Sequence, residues 1–219
     1  MWLAFGHGNS FRYISAHGIA QQLDEQLSKG ILFLHAFSGC DTVSSFCGIG
    51  KKTAWNVLQS MKQVLPVFQH LSSAPSSVTE EQMNEIERYV VVMYKNTSQL
   101  SKVNEARKQL FSSGNRKIEK IPPTKAALQQ HVRRAAYQAG HIWGQALIPN
   151  PTLPSPSDWG WVKQEEKWCP LWTNLSQAAI VCKELVKCGC TKRCSENCKC
   201  RKSILNCTHR CGCQGECFQ

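Results

Sequence analysis

Apolar and polar positions alternate along this chain with helical spacing over most of its length. In "AHGIAQQL", Ile19, Ala20 and Leu23 fall on one face of a short helix. The run Ile31, Leu32, Phe33, Leu34, Ala36 and Phe37 is long enough for a buried helix or a buried strand, and periodicity alone does not separate the two. It delivers the chain to Gly39 and a polar loop, after which "GIGKKTAWNVL" opens a further helix through Leu58. Thr79, three residues before Gln82, has the form of a capping box. Met83, Ile86, Tyr89, Val90 and Met93 then recur at helical spacing and read as core. Pro122 and Pro123 are placed to start the longest helix, since proline is tolerated in a first turn. Leu128, Val132, Ala135, Ala139, Ile142 and Ala146 step along it by three or four residues.

The pattern breaks twice. "IPNPTLPSPSDWG" carries four prolines and reads as a loop, and Trp159, Trp161, Trp168 and Trp172 follow it in what reads as a small hairpin packed on a neighbouring domain. Beyond residue 182 apolar periodicity stops. The fold class expected is therefore mainly α, in four segments: a helical region at 1–115, a long helix at 116–148, a Pro/Trp-rich bridge at 149–182 and a small irregular cysteine-rich module at 183–219.

Composition sharpens this. With 219 residues, 42% of them hydrophobic, the chain can bury a core, and a formal net charge of +11 favours anionic partners such as nucleic acid. A run of 18 apolar residues is lacking, so a membrane partner is not expected. "MWLAFGHGNSF" has neither the basic start nor the long apolar stretch of a secretory signal, which implies a reducing compartment where clustered cysteines bind metal. Lys102, Arg107, Lys108, Arg116, Lys117 and Lys120 form a basic stretch that either solvates a face or meets nucleic acid. His131, Arg133, Arg134 and His141 lie along the long helix, but not at a zinc-binding spacing, and read as buried or solvated.

Nine of the 13 cysteines lie in the last 32 residues: Cys188, Cys190, Cys194, Cys198, Cys200, Cys207, Cys211, Cys213 and Cys217. Cys169 and Cys182 lie outside this spacing and read as free thiols. The nine form two halves that echo each other, each built on C-x-C pairing: Cys188/Cys190 and Cys198/Cys200 in the first, Cys211/Cys213 in the second. Nine sulfurs do not divide into independent four-thiolate sites, yet six terminal and three bridging thiolates satisfy three tetrahedral Zn²⁺ ions with none left over. A disulfide knot would strand an odd thiol. Three zinc ions and nine thiolates carry a net charge of −3. Lys187, Lys192, Arg193, Lys199, Arg201, Lys202 and Arg210, against Glu196 and Glu216, offset this and leave the module slightly basic.

This spacing resembles the tesmin-type CXC domain and the related pre-SET zinc module over about 30 residues. The first of these implies DNA binding through basic residues beside the cluster, here Lys192, Arg193, Lys199, Arg201 and Lys202; the second implies bracing of a neighbouring domain. Asn197 stands where the tesmin type has a tyrosine before its fourth cysteine.

A second resemblance lies in "GCD" followed by "GIGKKTA", which is similar to the helix-hairpin-helix region of flap-endonuclease (XPG-type) nucleases of the PIN-like fold. It implies that Asp41 belongs to a two-metal catalytic site, requiring Mg²⁺ only in a complete nuclease, and that Gly48, Gly50, Lys51 and Lys52 hold a phosphate backbone. The family's other carboxylates have no counterparts here, so the expectation is a truncated nuclease-like region that does not cut alone, completed by a missing N-terminal half in a longer form or in trans. The chain as a whole resembles uncharacterised animal proteins derived from mobile elements. Together these readings imply zinc-dependent nucleic-acid binding, with DNA and a nuclear location as the expectation. A metal-dependent nuclease and a zinc-braced protein-interaction module are the alternatives.

Overall fold

The computed structural model describes residues 1–112, 118–173, 187–191, 194–202, 206–207 and 211–215. It divides into two compact units, Met1–Thr173 and Asn174–Gln219. Helices dominate the first, accompanied by two small antiparallel hairpins. Among the described residues no helix is long and apolar enough to cross a membrane.

The chain opens with strands β1 (Trp2–Phe5) and β2 (Arg12–Ser15), paired from Trp2↔Ser15 to Phe5↔Arg12, followed by helix α1 (Ala16–Gln22). Trp2, Leu3, Phe5 and Tyr13 are exposed, so neither face of the hairpin is covered. Ile19 and Ala20 are exposed as well, and of the apolar face expected here only Leu23, which caps α1, packs on the core.

The ambiguous run at 31–37 is helical. It forms the end of α2 (Glu25–Phe37), whose first turn is fixed by the Asp24 carboxylate accepting the Leu27 N–H at 2.7 Å. Its last residues lie at the centre of the unit, where packing on several sides explains why no polar face marks them. Phe33 and Phe37 stack at 5.4 Å, and Phe68 of α4 (Leu65–Leu71) meets Phe33 edge-on at 4.9 Å. Close approach is possible because Gly30 faces the Phe68 Cβ. Ser72 at the end of α4 accepts the Phe33 N–H at 3.1 Å and donates to the Phe68 carbonyl.

Helix α3 (Lys51–Ser60) packs on α5 (Glu80–Tyr94), where the buried Tyr89 hydroxyl donates to the Ala54 carbonyl. The capping box is present: Thr79 Oγ1 accepts from the Gln82 N–H, and Gln82 Oε1 accepts from the Thr79 N–H. All five residues of the α5 stripe are buried. Glu87, on the same helix, is also buried. Its carboxylate accepts the N–H of Val103, the first residue of α6 (Val103–Ser112), and lies 3.6 Å from Lys102 and 3.5 Å from Lys125. One buried charge thereby joins α5, the start of α6 and α7 (Lys125–Ala136).

Two details of α7 depart from the sequence reading. Pro122 and Pro123 precede the helix, and Thr124 caps it by accepting the Ala127 N–H. At the far end the α-helix stops at Ala136 and widens into a π-helical turn, Tyr137–Trp143. A side chain at Gly140 would come within 2.7–2.9 Å of Pro75, Ala74 and the Leu71 carbonyl, so the wide turn lets two backbones touch. Widening also shifts the phase. His141 is buried, with Nε2–H donating to the Pro75 carbonyl at 3.0 Å, while Ile142 and Ala146 face outward.

The long helix and part of the bridge belong to the core of this unit. Trp159 is buried edge-on against His141 at 4.7 Å, and Trp161 packs beside it. Gly160 has φ +83, and a Cβ there would meet the Gln130 carbonyl at 2.8 Å. Strands β3 (Trp161–Gln164) and β4 (Lys167–Pro170) form the second hairpin. Its two-residue loop, Glu165–Glu166, has both φ angles positive, as a type I′ turn requires.

Candidate metal centre

The second unit has no aliphatic core among its described residues. Its buried residues are Cys188, Cys198, Cys200 and Cys211, with Cys190, Cys194, Cys207 and Cys213 packed against them. Among its described residues one helical turn, α8 (Lys199–Lys202), is present. The first and last of the three C-x-C pairs, Cys188/Cys190 and Cys211/Cys213, lie side by side: the Gly212 N–H donates to the Cys188 carbonyl at 2.8 Å, and a Cβ on Gly212 would meet the Cys190 carbonyl at 3.0 Å.

The thiols converge. Cys188 Sγ lies 3.8 Å from Cys194, 3.6 Å from Cys207 and 3.8 Å from Cys213. Cys194 lies 3.7 Å from Cys207 and 3.8 Å from Cys213, and Cys200 lies 3.6 Å from Cys211. A tetrahedral zinc–thiolate site with bonds of about 2.3 Å has sulfur–sulfur edges of about 3.8 Å, whereas a disulfide requires about 2.05 Å. Among the described residues no disulfide joins any of the cysteines. Two sets of four have ligand atoms mutually within 4.8 Å: Cys188, Cys200, Cys207 and Cys211, and Cys188, Cys194, Cys198 and Cys207. Both contain Cys188 and Cys207. These residues can hold metal ions, and the donor set, all soft thiolate, suits zinc. The Cys198 thiol is drawn down to about 6, first by the backbone N–H of Arg201, whereas Cys200 is pushed up by burial and Cys188 is raised to about 12, so the thiols are not uniformly poised as thiolates.

Eight of the nine expected ligands are thus brought together, and Cys217 lies outside the described residues. Of the basic residues expected around them, Lys199, Arg201 and Lys202 are exposed, while Lys192 and Arg193 lie outside the described residues. Cys169 is a free thiol of β4, and Cys182 also lies outside the described residues.

In the first unit, Gly48 has φ +74 in the turn before α3, closed by the Ile49 N–H donating to the Phe46 carbonyl. Gly50 caps α3 in extended conformation with open space where a side chain would be, so packing does not call for glycine there. Lys52 is exposed. Lys51 has a different role: its ammonium donates to the His35 carbonyl at 2.9 Å, to Ser38 Oγ at 3.2 Å and to the Gly39 carbonyl, and partial burial lowers its pKa. A cation on those carbonyls complements the negative end of α2. Asp41 is exposed and belongs to no group of close metal-ligating side chains among the described residues. The basic stretch is likewise partly occupied, since Lys102 faces Glu87 and Asn84, and Arg107 donates to the Pro122 carbonyl; Arg116 and Lys117 lie outside the described residues.

His131 and Arg134 are both buried in this unit. The His131 Nε2–H donates to the Phe37 carbonyl at 2.8 Å, which leaves Nδ1 to accept from Ser44 Oγ at 3.3 Å. Burial pushes its pKa down to about 4. The available signal was positional: His131 lies three residues after Leu128 and four before Ala135, on the buried stripe.

Comparison with protein-family models, with curated proteins and with solved structures finds no match for this chain.

Proposed function

We propose that this protein is a zinc-dependent nucleic-acid-binding protein, with DNA as its ligand, in which nine cysteines of the second unit hold three zinc ions through shared thiolates. The observation that carries the metal reading is the overlap of the two four-thiol sets at Cys188 and Cys207. Sets that share ligands belong to one polynuclear cluster, and shared thiolates are what the count of nine demands. Such a cluster would fold a segment whose described residues have no other core, since metal binding and folding are then one equilibrium.

The nucleic-acid reading rests on charge. Lys199, Arg201 and Lys202 stand exposed within four residues on α8, with Lys187 also exposed, against a whole-chain net charge of +11. The turn Gly48–Gly50 with Lys52 is the second contact proposed, because both glycines leave open space where a side chain would be and Lys52 is an exposed cation. Lys51 is assigned to holding the end of α2. A nuclease reading has less support, because Asp41 has no converging carboxylates among the described residues.

Titration of fluorescent duplex DNA with the zinc-loaded chain tests this. The binding constant should fall steeply and linearly with salt on logarithmic axes, and Lys199→Ala/Arg201→Ala/Lys202→Ala should reduce the slope by about 2 to 3. Three bound zinc ions with no duplex binding at low salt would refute the nucleic-acid reading and favour a zinc-braced protein-interaction module.

A further inference from the structure

The first unit contains a cavity of about 300 Å³, at the small end of ligand pockets, between the Ser44–Cys47 loop, the end of α5, the middle of α7 and the chain after β4. Among the described residues, those that line it belong to that unit.

Three features of its wall point to a ligand. Arg134 is buried, and its guanidinium donates to the Gly160 carbonyl at 2.9 Å; no carboxylate among the described residues lies within ion-pairing distance of it. A buried cation without an anion is costly, and an anion in the cavity would relieve that. One turn earlier on α7, Gln130 Oε1 is buried without a hydrogen-bond partner among the described residues. A buried acceptor in that position calls for a donor. Phe46, Tyr94 and Trp172 supply aromatic surface, the last of them largely exposed at the rim. Arg107 and Glu119 also line the space, and the two arginines against one carboxylate leave it with a formal charge of +1.

We propose that this cavity binds one mononucleotide unit, with its phosphate on Arg134, a donor of its base on Gln130 and its ring against the aromatic wall. The size, the single net positive charge and the pairing of a cation with a lone acceptor suit a compact anion that carries a planar hydrogen-bonding ring. Aromatic side chains stack on bases with little regard to sequence. The same chemistry is offered by a free nucleoside monophosphate and by the terminal nucleotide of a strand. The proposal stands whether or not the cysteine cluster contacts nucleic acid.

The experiment is calorimetric titration of the intact, zinc-loaded chain with AMP, GMP, CMP and UMP, with inorganic phosphate alone, and with a short single strand carrying or lacking a terminal phosphate. Saturable one-to-one binding of at least one nucleotide is expected, at least tenfold tighter than phosphate and weakened at least tenfold by Gln130→Leu and by Arg134→Gln. Thermal melts establish that each variant is folded. If Arg134→Gln fails to fold, Gln130→Leu alone decides. Binding of the phosphorylated strand, lost in Gln130→Leu, would assign the site to strand ends; binding of monophosphates alone would assign it to free nucleotide. Absence of saturable binding at millimolar nucleotide, equal affinity for phosphate and nucleotides, or binding unchanged by Gln130→Leu would each overturn the proposal.

Discussion

Acid should destabilise the first unit through one residue more than any other. His131 is neutral in the fold, wedged between Phe37 and Phe46 at ring distances of 5.1 and 4.7 Å. Its pKa of about 4 compares with 6.5 for an unhindered imidazole, with burial the main cause and the hydrogen bond to Phe37 working against it. Above pH 6.5 both folded and unfolded chains carry a neutral ring, and His131 contributes no pH dependence. As pH falls below 6.5, the unfolded chain takes up a proton that the folded chain refuses. Stability then drops by about 1.4 kcal/mol per pH unit until pH 4, for a total of about 3 kcal/mol. That is a large share of the roughly 5–15 kcal/mol typical of a domain. His35 and His141 are shifted in the same direction, so the wild-type slope contains their contributions too. The difference from His131→Gln isolates the one residue, since glutamine can keep a donor on the Phe37 carbonyl but does not titrate. Urea unfolding followed by tryptophan emission is the assay, because all seven tryptophans lie between Trp2 and Trp172, within the first unit. Parallel slopes for wild type and His131→Gln between pH 6.5 and pH 4 would refute the reasoning.

Glu87→Ala should cost about 3 kcal/mol or more, because it removes the acceptor for the Val103 N–H and leaves Lys102 and Lys125 without their shared carboxylate; urea midpoints measure it. Lys51→Ala should lower the stability of the first unit by about 1 kcal/mol by exposing the carbonyls at the end of α2, and leave duplex affinity nearly unchanged, whereas Lys52→Ala should weaken binding with little effect on melting. Chelation of zinc should abolish the protease resistance of residues 187–215 while tryptophan emission stays native. Loss of both signals together would contradict independent folding of the two units.

Much of this architecture is legible where one physical signal acts locally. The capping box at Thr79 and the five-residue stripe of α5 sit where the sequence puts them, and the spacing of the cysteines anticipates their convergence in space. What escapes the sequence depends on distant partners. The run at 31–37 is apolar except at the exposed His35 because several elements cover it, and one polar residue is too narrow a face to mark a helix. Glu87 resembles any exposed helix carboxylate until Lys102 and Lys125 are brought to it. Lys51 resembles a phosphate ligand beside a glycine turn, and only the return of the chain past the end of α2 shows which oxygens it meets. Helix α7 loses its phase at residue 137 because Gly140 packs on Ala74 and Pro75, a contact across more than 60 residues. Gln130 and Arg134 gain meaning only from the cavity they face.

The shared-thiolate cluster is the claim on which the rest of the functional account depends, and native mass spectrometry of the intact chain purified with zinc tests it most directly. Three zinc ions per chain, with the nine cysteines from Cys188 to Cys217 protected from alkylation until chelator is added, is the result the account predicts. Two ions with one of these nine cysteines freely alkylated would indicate independent four-thiolate sites, and a metal-free chain lighter by two hydrogens per cysteine pair would indicate disulfides. Either would contradict it.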